Sequence, residues 1–391
     1  MMHDFVFSRT PEIYFGQGKF RLLPLLIKRY GKNALVVTGA RSFSESDNYS
    51  ELVGLFKENS IHHFLIRISG EPSPLLIDSV VNEYLLKDID VVVAIGGGSV
   101  LDSGKAISAM MGQDGFVQEF LEGVGTGRTH SGRRTPFIAV PTTAGTGSET
   151  TRNAVLSSVG KGGFKRSIRH HSFIPDIALV DPLLTLSCPA DVTASCGMDA
   201  LTQLLESYVS TNATPVTDSL CISGLSAIAS GLQEAVLHPD NVHARGEMSY
   251  ASMISGITLA NAGLGIVHGF ASVIGGYFNI PHGVVCGTLM GAVTRANISQ
   301  LQKADHNPTA LGKYAQAGRI LLHKPAMSDQ LACGELTNRI ESWIEKFRIP
   351  KLGQYGMQSA DLEKIVAETD QKQNPVKLSD MALINILKAR I

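Results

Sequence analysis

The sequence predicts an α/β N-terminal nucleotide-binding domain with a parallel sheet, followed by an all-α C-terminal domain. Up to about residue 185, short apolar or β-branched runs alternate with stretches whose apolar residues recur at spacings of three and four. Beyond Asp181-Pro182 the short runs stop and only the helical pattern continues. A third observation is the 39 glycines among 391 residues, which call for tight turns and close backbone approaches. The boundary is set at 1–185 and 186–391.

Five runs read as strands: Asn33 to Thr38, His63 to Ile68, Val91 to Ile95, Phe137 to Pro141 and Ile177 to Val180. Each is too short for a buried helix, and continuous apolar strands joined by helices mean a parallel sheet covered on both faces. Leu75 to Leu86 is one such connecting helix. In the second half Leu201 to Val209, Val216 to Ala235, Gly246 to Asn261 and Glu335 to Lys346 read as helices, with no internal repeat.

Composition excludes several classes. With 34 Lys plus Arg against 35 Asp plus Glu, the net charge of −1 argues against a nucleic-acid partner, which needs a basic surface. The chain is 44% hydrophobic with a mean hydropathy of +0.10, enough for a large core. The N-terminus has an acid and a proline where a secretory signal needs an unbroken apolar stretch, so export is not expected. Five scattered cysteines without a CxxC pair suggest neither disulfides nor a thiolate metal cage, and reduced thiols in the cytoplasm are expected. From Met248 to Thr294 no Asp, Glu, Lys or Arg occurs in 47 residues, longer than a membrane span requires. His268, His282, Asn261 and Asn279 within it would be costly in lipid, so the stretch reads as buried helices around a site, with no membrane.

Two glycine-rich loops follow strands. In Val91–Asp102 (VVVAIGGGSVLD) three glycines stand at the carboxyl end of a strand, with a helix expected to begin at Ser99. Such a turn lets the backbone approach a pyrophosphate, and the N–H groups and dipole of the helix stabilise its charge. A side chain at Gly98 is expected to enter that space. The second loop, Pro141–Glu149 (PTTAGTGSE), offers hydroxyls and bare backbone, a weaker signal by itself.

The helical half holds metal-type side chains. Asp199 and Gln203 stand four apart and share a helix face. His268 and His282 follow in the uncharged stretch. Either histidine alone reads as a buried group bonded to backbone. With the aspartate they make an open set of two His and one carboxylate, suited to a divalent metal. Spacing alone leaves both readings open.

These pieces together resemble the iron-containing, or group III, alcohol dehydrogenases: Ile95–Asp102, Pro141–Glu149, Pro175–Pro182, Gly197–Thr202, and His268 through Pro281-His282-Gly283, with 14 residues between the histidines. The resemblance implies reversible oxidation of an alcohol, with a small-molecule alcohol or aldehyde as partner, a nicotinamide cofactor NAD(P), a divalent metal (Fe or Zn) in the interdomain cleft, and a homodimer or larger homo-oligomer. It implies that the catalytic and metal residues are Asp199, His268 and His282, with Gln203 where the family has a fourth ligand, a histidine; a neutral amide is the poorer ligand. Ser272 stands where the family often has a further, non-ligating histidine. It implies that Gly97, Gly98 and Ser99 hold the pyrophosphate, Thr142 and Thr143 the nucleotide and Lys165 the nicotinamide ribose, with Asp102 near the carboxamide. Where NAD users often carry an acid for the adenosine ribose, this chain has Gly39, Arg41 and Ser42, which do not repel a 2′-phosphate.

The leading expectation is therefore metal-assisted hydride transfer between alcohol or aldehyde and nicotinamide. Gln203 keeps a metal-independent reductase of the maleylacetate reductase type as an alternative, and a dehydroquinate synthase-like lyase stands further off because no cluster of basic residues is apparent. Phe270, Tyr277 and Phe278 are expected to shape the substrate pocket.

Overall fold

The computed structural model describes residues 4–304 and 307–391. The chain runs β1 (Glu12–Phe15), α1 (Leu23–Ile27), β2 (Asn33–Gly39), α2 (Asp47–Glu58), β3 (His62–Ile68), α3 (Pro74–Tyr84), β4 (Val91–Gly96), α4 (Gly98–Met110) and β5 (Phe137–Pro141). A hairpin of β6 (Asn153–Ser158) and β7 (Phe164–Arg169) precedes β8 (Ile177–Val180). Then come α5 (Ala190–Val209), α6 (Pro215–Leu237), α7 (Val242–Ala262), α8 (Ile266–Tyr277) and α9 (His282–Ala304). The last helices are α10 (Pro308–Leu322), α11 (Asp329–Lys346), α12 (Leu362–Glu368) and α13 (Asp380–Lys388).

Six strands form one parallel sheet in the order β1-β8-β5-β4-β2-β3. Alternate residues serve opposite faces, as strand geometry requires. Leu35, Val37, Val92, Ala94 and Phe137 join one core, while Ala34, Val36, Val91, Val93 and Ile95 join the other. Burial on both sides is why these strands read as unbroken apolar runs. The order reverses between β2 and β4, so their carboxyl ends, at Gly39 and Gly96, flank the crevice where such sheets bind ligands.

All five expected strands form. The sequence reading missed β1, which is four residues long and exists by pairing with β8, and the antiparallel β6–β7 hairpin, whose half-polar strands show no clean alternation. Helix starts follow local chemistry: the Ser73 hydroxyl accepts from Leu76 N–H ahead of Pro74, and the Thr214 hydroxyl accepts from Thr217 N–H ahead of Pro215. Helix α4 lies directly on the sheet because Gly104 has no side chain; a Cβ there would stand 2.6 Å from Ala94 Cβ.

In the helical half α6 packs between α5, α7 and α10. It is the one helix among the described residues long and apolar enough to cross a bilayer, yet half of its most apolar window is buried against the protein. The uncharged stretch of 248–294 forms the end of α7, all of α8 and the start of α9. Helices α7 and α8 meet at 98° across Gly263–Gly265, and that bend turns His268 toward α5.

Candidate active site

The two halves meet around a cavity of about 470 Å³. Its walls include Gly98, Ser99 and Asp102 of α4, Lys165 of β7, Gln203 of α5, and His268 and His282 of α8 and α9. Residues from Glu71 to Gln373 thus face one space, with the glycine turn at one side and the imidazoles at the other.

At the nucleotide side, Thr142 N–H donates to Gly96 O at 3.0 Å, which fastens the second glycine-rich loop to the first. The helix begins at Gly98, one residue before the expected start, because Gly97 O already accepts from Val100 and Leu101 N–H at 3.0 Å. A Cβ on Gly97 would stand 3.3 Å from Thr143 Oγ1, and one on Gly98 would stand 2.6 Å from Thr146 Cγ2. This corrects the expectation for Gly98: a side chain there meets the neighbouring loop first, and the bare backbone serves loop-on-loop packing. Gly39 closes β2 with ordinary space around it, a Cβ meeting Ser42 Oγ at 3.7 Å and Val100 at 3.8 Å. Arg41 and Ser42 are exposed at the same sheet end, Arg41 engaging Glu45 at 3.1 Å.

Asp102 lines the cavity, but its carboxylate accepts from Ser148 Oγ at 2.6 Å and Val155 N–H at 3.0 Å. Lys165 reaches Glu71 at 3.0 Å, and Ser99 Oγ donates to the other oxygen of Glu71 at 3.4 Å. Glu71, unforeseen in the sequence, therefore links the glycine turn to the lysine. Beneath them Lys105 is fully buried and donates to Ser148 O, Thr151 Oγ1 and Asn153 O at 2.7–2.9 Å. Burial pushes its ammonium down to about 8 and pushes nearby Glu149 up to about 7.

At the metal-type side, Asp199 Oδ1 lies 3.4 Å from His268 Nε2 and 3.8 Å from His282 Nε2. Asp199 Oδ2 instead accepts from Gln203 Nε2 at 3.1 Å, and Gln203 Oε1 accepts from Ser255 Oγ at 2.7 Å. Gln203 is thus an orienting clamp on the aspartate. Oδ1 is buried with no hydrogen-bond partner. An orphaned carboxylate oxygen is expensive in the interior unless a cation meets it. Glu206, one turn on from Gln203, accepts from Val267 N–H and holds His268 Nδ1 at 2.7 Å, which turns Nε2 toward the cluster.

The electrostatics agree with a cation-attracting centre. Burial opposes charge on His268, yet Cys286, Asp199 and Glu206 around it raise its pKa well above the ordinary value. Burial lowers that of His282 to about 4, keeping a neutral imidazole with a free lone pair. Burial opposes the Asp199 carboxylate too, but the two histidines hold its pKa below the usual range. The donor set fits a divalent metal.

Three expectations are corrected. Phe270 is fully buried in the core, the Tyr277 hydroxyl is taken by Glu368, and neither they nor Phe278 line the cavity; Leu259, Leu264, Ala271 and Ser272 do. Basic residues do reach the cavity: Lys165 and Arg169 stand four apart on one face of β7, and Lys372 joins them from a distant segment. A thiol also stands in the metal-type cluster: Cys286 Sγ lies within 3.7 Å of both imidazoles.

Residues 10–182 match the iron-containing alcohol dehydrogenase family, and residues 193–391 match the C-terminal part of the same family. Alcohol dehydrogenase 4 of Saccharomyces cerevisiae is 31% identical, the aligned region covering 98% of this chain and 97% of the yeast protein. The NAD-dependent methanol dehydrogenase of Bacillus methanolicus is 30% identical over 91% of each chain. Among solved structures, a 1,3-propanediol oxidoreductase superposes with a TM-score of 0.89 at 27% identity over the whole of both chains. An alcohol dehydrogenase from Oenococcus oeni gives 0.87 at 28% identity, also over the whole of both. The chain belongs to the iron-containing alcohol dehydrogenase family. It is an oxidoreductase that moves hydride between an alcohol or aldehyde and a nicotinamide cofactor.

Proposed function

We propose that this enzyme is a metal-assisted dehydrogenase of small primary alcohols, or reductase of the matching aldehydes, with Asp199, His268 and His282 holding a divalent metal. The observation that carries the reading is the orphaned Oδ1 of Asp199, aimed at two imidazole nitrogens at the wall of the cavity that reaches the glycine turn. When bound, the metal supplies Lewis-acid polarisation of the substrate oxygen. The chain does the rest. Gln203 and Glu206 fix the ligands' directions, the Gly97–Ser99 turn and Thr142–Thr143 hold the dinucleotide, and Lys165, paired to Glu71, stands between the two. Leu259, Leu264 and Ala271 supply the apolar part of a cavity wall that also carries Asp102, Lys165 and Arg169. Ser272 spends its hydroxyl on His268 O at 2.8 Å and relays no proton.

Gly39, with Arg41 and Ser42 beside it and no carboxylate, supports acceptance of NADP(H) at least as readily as NAD(H). Five free thiols support a cytoplasmic setting. The open edge of β1, preceded by exposed Phe5 and Val6, supports a homodimer. The metal-independent alternative is not favoured, since Gln203 acts on Asp199 and leaves three ligands in place, and the relatives are alcohol dehydrogenases. The test is elemental analysis of the purified protein, followed by an absorbance screen of alcohols and aldehydes with both cofactors. Turnover that rises with metal content supports the reading, and full turnover without metal ends it.

A further inference from the structure

We propose that Cys286 is the fourth donor to the metal held by Asp199, His268 and His282, so that a buried thiolate replaces the imidazole missing at position 203. The proposal rests on the metal reading above. Cys286 Sγ lies 3.7 Å from His268 Nε2 and 3.6 Å from His282 Nε2, and all four donor atoms fall within 4.8 Å of one another. In a tetrahedral site with about 2.0–2.2 Å to N or O and about 2.3 Å to S, neighbouring donors stand roughly 3.3–3.6 Å apart. The four separations that join Asp199 Oδ1 and Cys286 Sγ to the two imidazoles, 3.4–3.8 Å, match those edges to within a few tenths of an ångström. A cysteine packed only as a small apolar group has no reason to converge with three other donors on one centre.

Local structure fixes this convergence. Cys286 follows His282 by one turn of α9, so both side chains share a face. The first turn of α9 is pressed on α5 at Gly283, where a Cβ would stand 2.6 Å from Ser195 O. That contact brings the Cys286–His282 face onto Asp199. The thiol is fully buried, and its polar neighbours are the two imidazoles and Asp199, the other members of the cluster.

The position of the thiol explains how position 203 can be an amide. Gln203, His268 and His282 line the cavity, whereas Asp199 and Cys286 do not. A donor at 203 would occupy the cavity side; Cys286 closes the buried side. The shell is completed from behind, and the side facing substrate stays open, as a catalytic site requires. Coordination replaces the S–H bond with a metal–sulfur bond and releases one proton to solvent. A thiolate among two imidazoles and a carboxylate favours zinc over the harder divalent ions.

The test is cobalt(II) titration of the chelator-stripped full-length protein, read by absorbance and equilibrium dialysis, for wild type, Cys286→Ser, Cys286→Ala and Asp199→Ala. The wild type is expected to take up one cobalt per chain with a near-ultraviolet thiolate-to-cobalt charge-transfer band. Cys286→Ser and Cys286→Ala should lose that band and bind at least about tenfold more weakly. Cobalt bound by wild type without the band, at an affinity unchanged in both Cys286 variants, overturns the proposal and leaves the three-ligand reading standing. Cobalt uptake no greater in wild type than in Asp199→Ala overturns both. Should either Cys286 variant fail to fold by circular dichroism, the presence or absence of the wild-type band decides alone.

Discussion

The two halves of the site are built by opposite means. The nucleotide side is made of backbone: the turns at Gly96–Ser99 and Pro141–Thr146 are contiguous stretches at the ends of β4 and β5, fastened by Thr142 N–H to Gly96 O. The metal side is made of side chains from three helices, α5, α8 and α9, each contributing one or two donors. Backbone sites tolerate changes of side chain except at the glycines that pack them, and are written as short local motifs. Side-chain sites depend on each group and are scattered along the chain.

The largest expected effect breaks the metal side with one substitution. Asp199→Ala removes the only carboxylate among the four donors and should lower kcat/KM by roughly a thousandfold, since Lewis-acid stabilisation supplies several kcal/mol. Steady-state kinetics with metal analysis of the same sample checks this. A decrease below tenfold would put the metal side in the tolerant class.

Lys105 is the place where the nucleotide half also depends on one side chain. Its ammonium ties α4 to the 148–153 loop through three buried acceptors beside Asp102. Lys105→Met should cost about 3–5 kcal/mol in denaturant unfolding, because buried carbonyls and a carboxylate lose their partner. A cost under 1 kcal/mol would mean that the loop is held by backbone contacts alone.

Glu149 sharpens the point through pH. Its folded-state value of about 7 lies above the ordinary 4.5, so the folded protein keeps a proton that the unfolded chain has released. Wild-type stability should therefore fall as pH rises from about 4.5 to about 7 and level off above, by on the order of 3 kcal/mol. Glu149→Gln, which fixes the neutral form, should remove that slope in unfolding curves measured across the range. An unchanged slope would assign it to other groups.

The smallest effect is expected at the backbone-built side. A Cβ at Gly39 meets nothing closer than 3.7 Å, so Gly39→Asp should fold normally. Its carboxylate would repel a 2′-phosphate and should move the NADP(H)/NAD(H) ratio of kcat/KM about tenfold toward NAD(H). Strong preference of the wild type for NAD(H) would contradict the reading of Gly39.

This contrast also explains what the sequence could tell. The five main strands and both glycine loops were legible because each is local and period or composition marks it. Asp199, His268 and His282 were legible as residue types, but their meeting depends on the bend between α7 and α8. Cys286 has no paired cysteine to mark it as a ligand, although its four-residue step from His282 is the same signal as Asp199 to Gln203. Glu206 carried a signal too, lying seven residues after Asp199 on the same helix face. Strand β1 and Glu71 had none, since each acquires its role only from a partner distant in the chain.

The central claim is that hydride transfer in this cavity depends on one metal ion at Asp199, His268 and His282. The direct measurement is turnover of the chelator-stripped enzyme, with a primary alcohol and NADP+ or NAD+, as zinc or iron(II) is added back and metal per chain is counted. The account predicts negligible rate without metal and a linear rise that stops at one equivalent. Undiminished turnover in protein holding no metal would contradict it, and His268 and His282 would then act as hydrogen-bonding or proton-transfer groups.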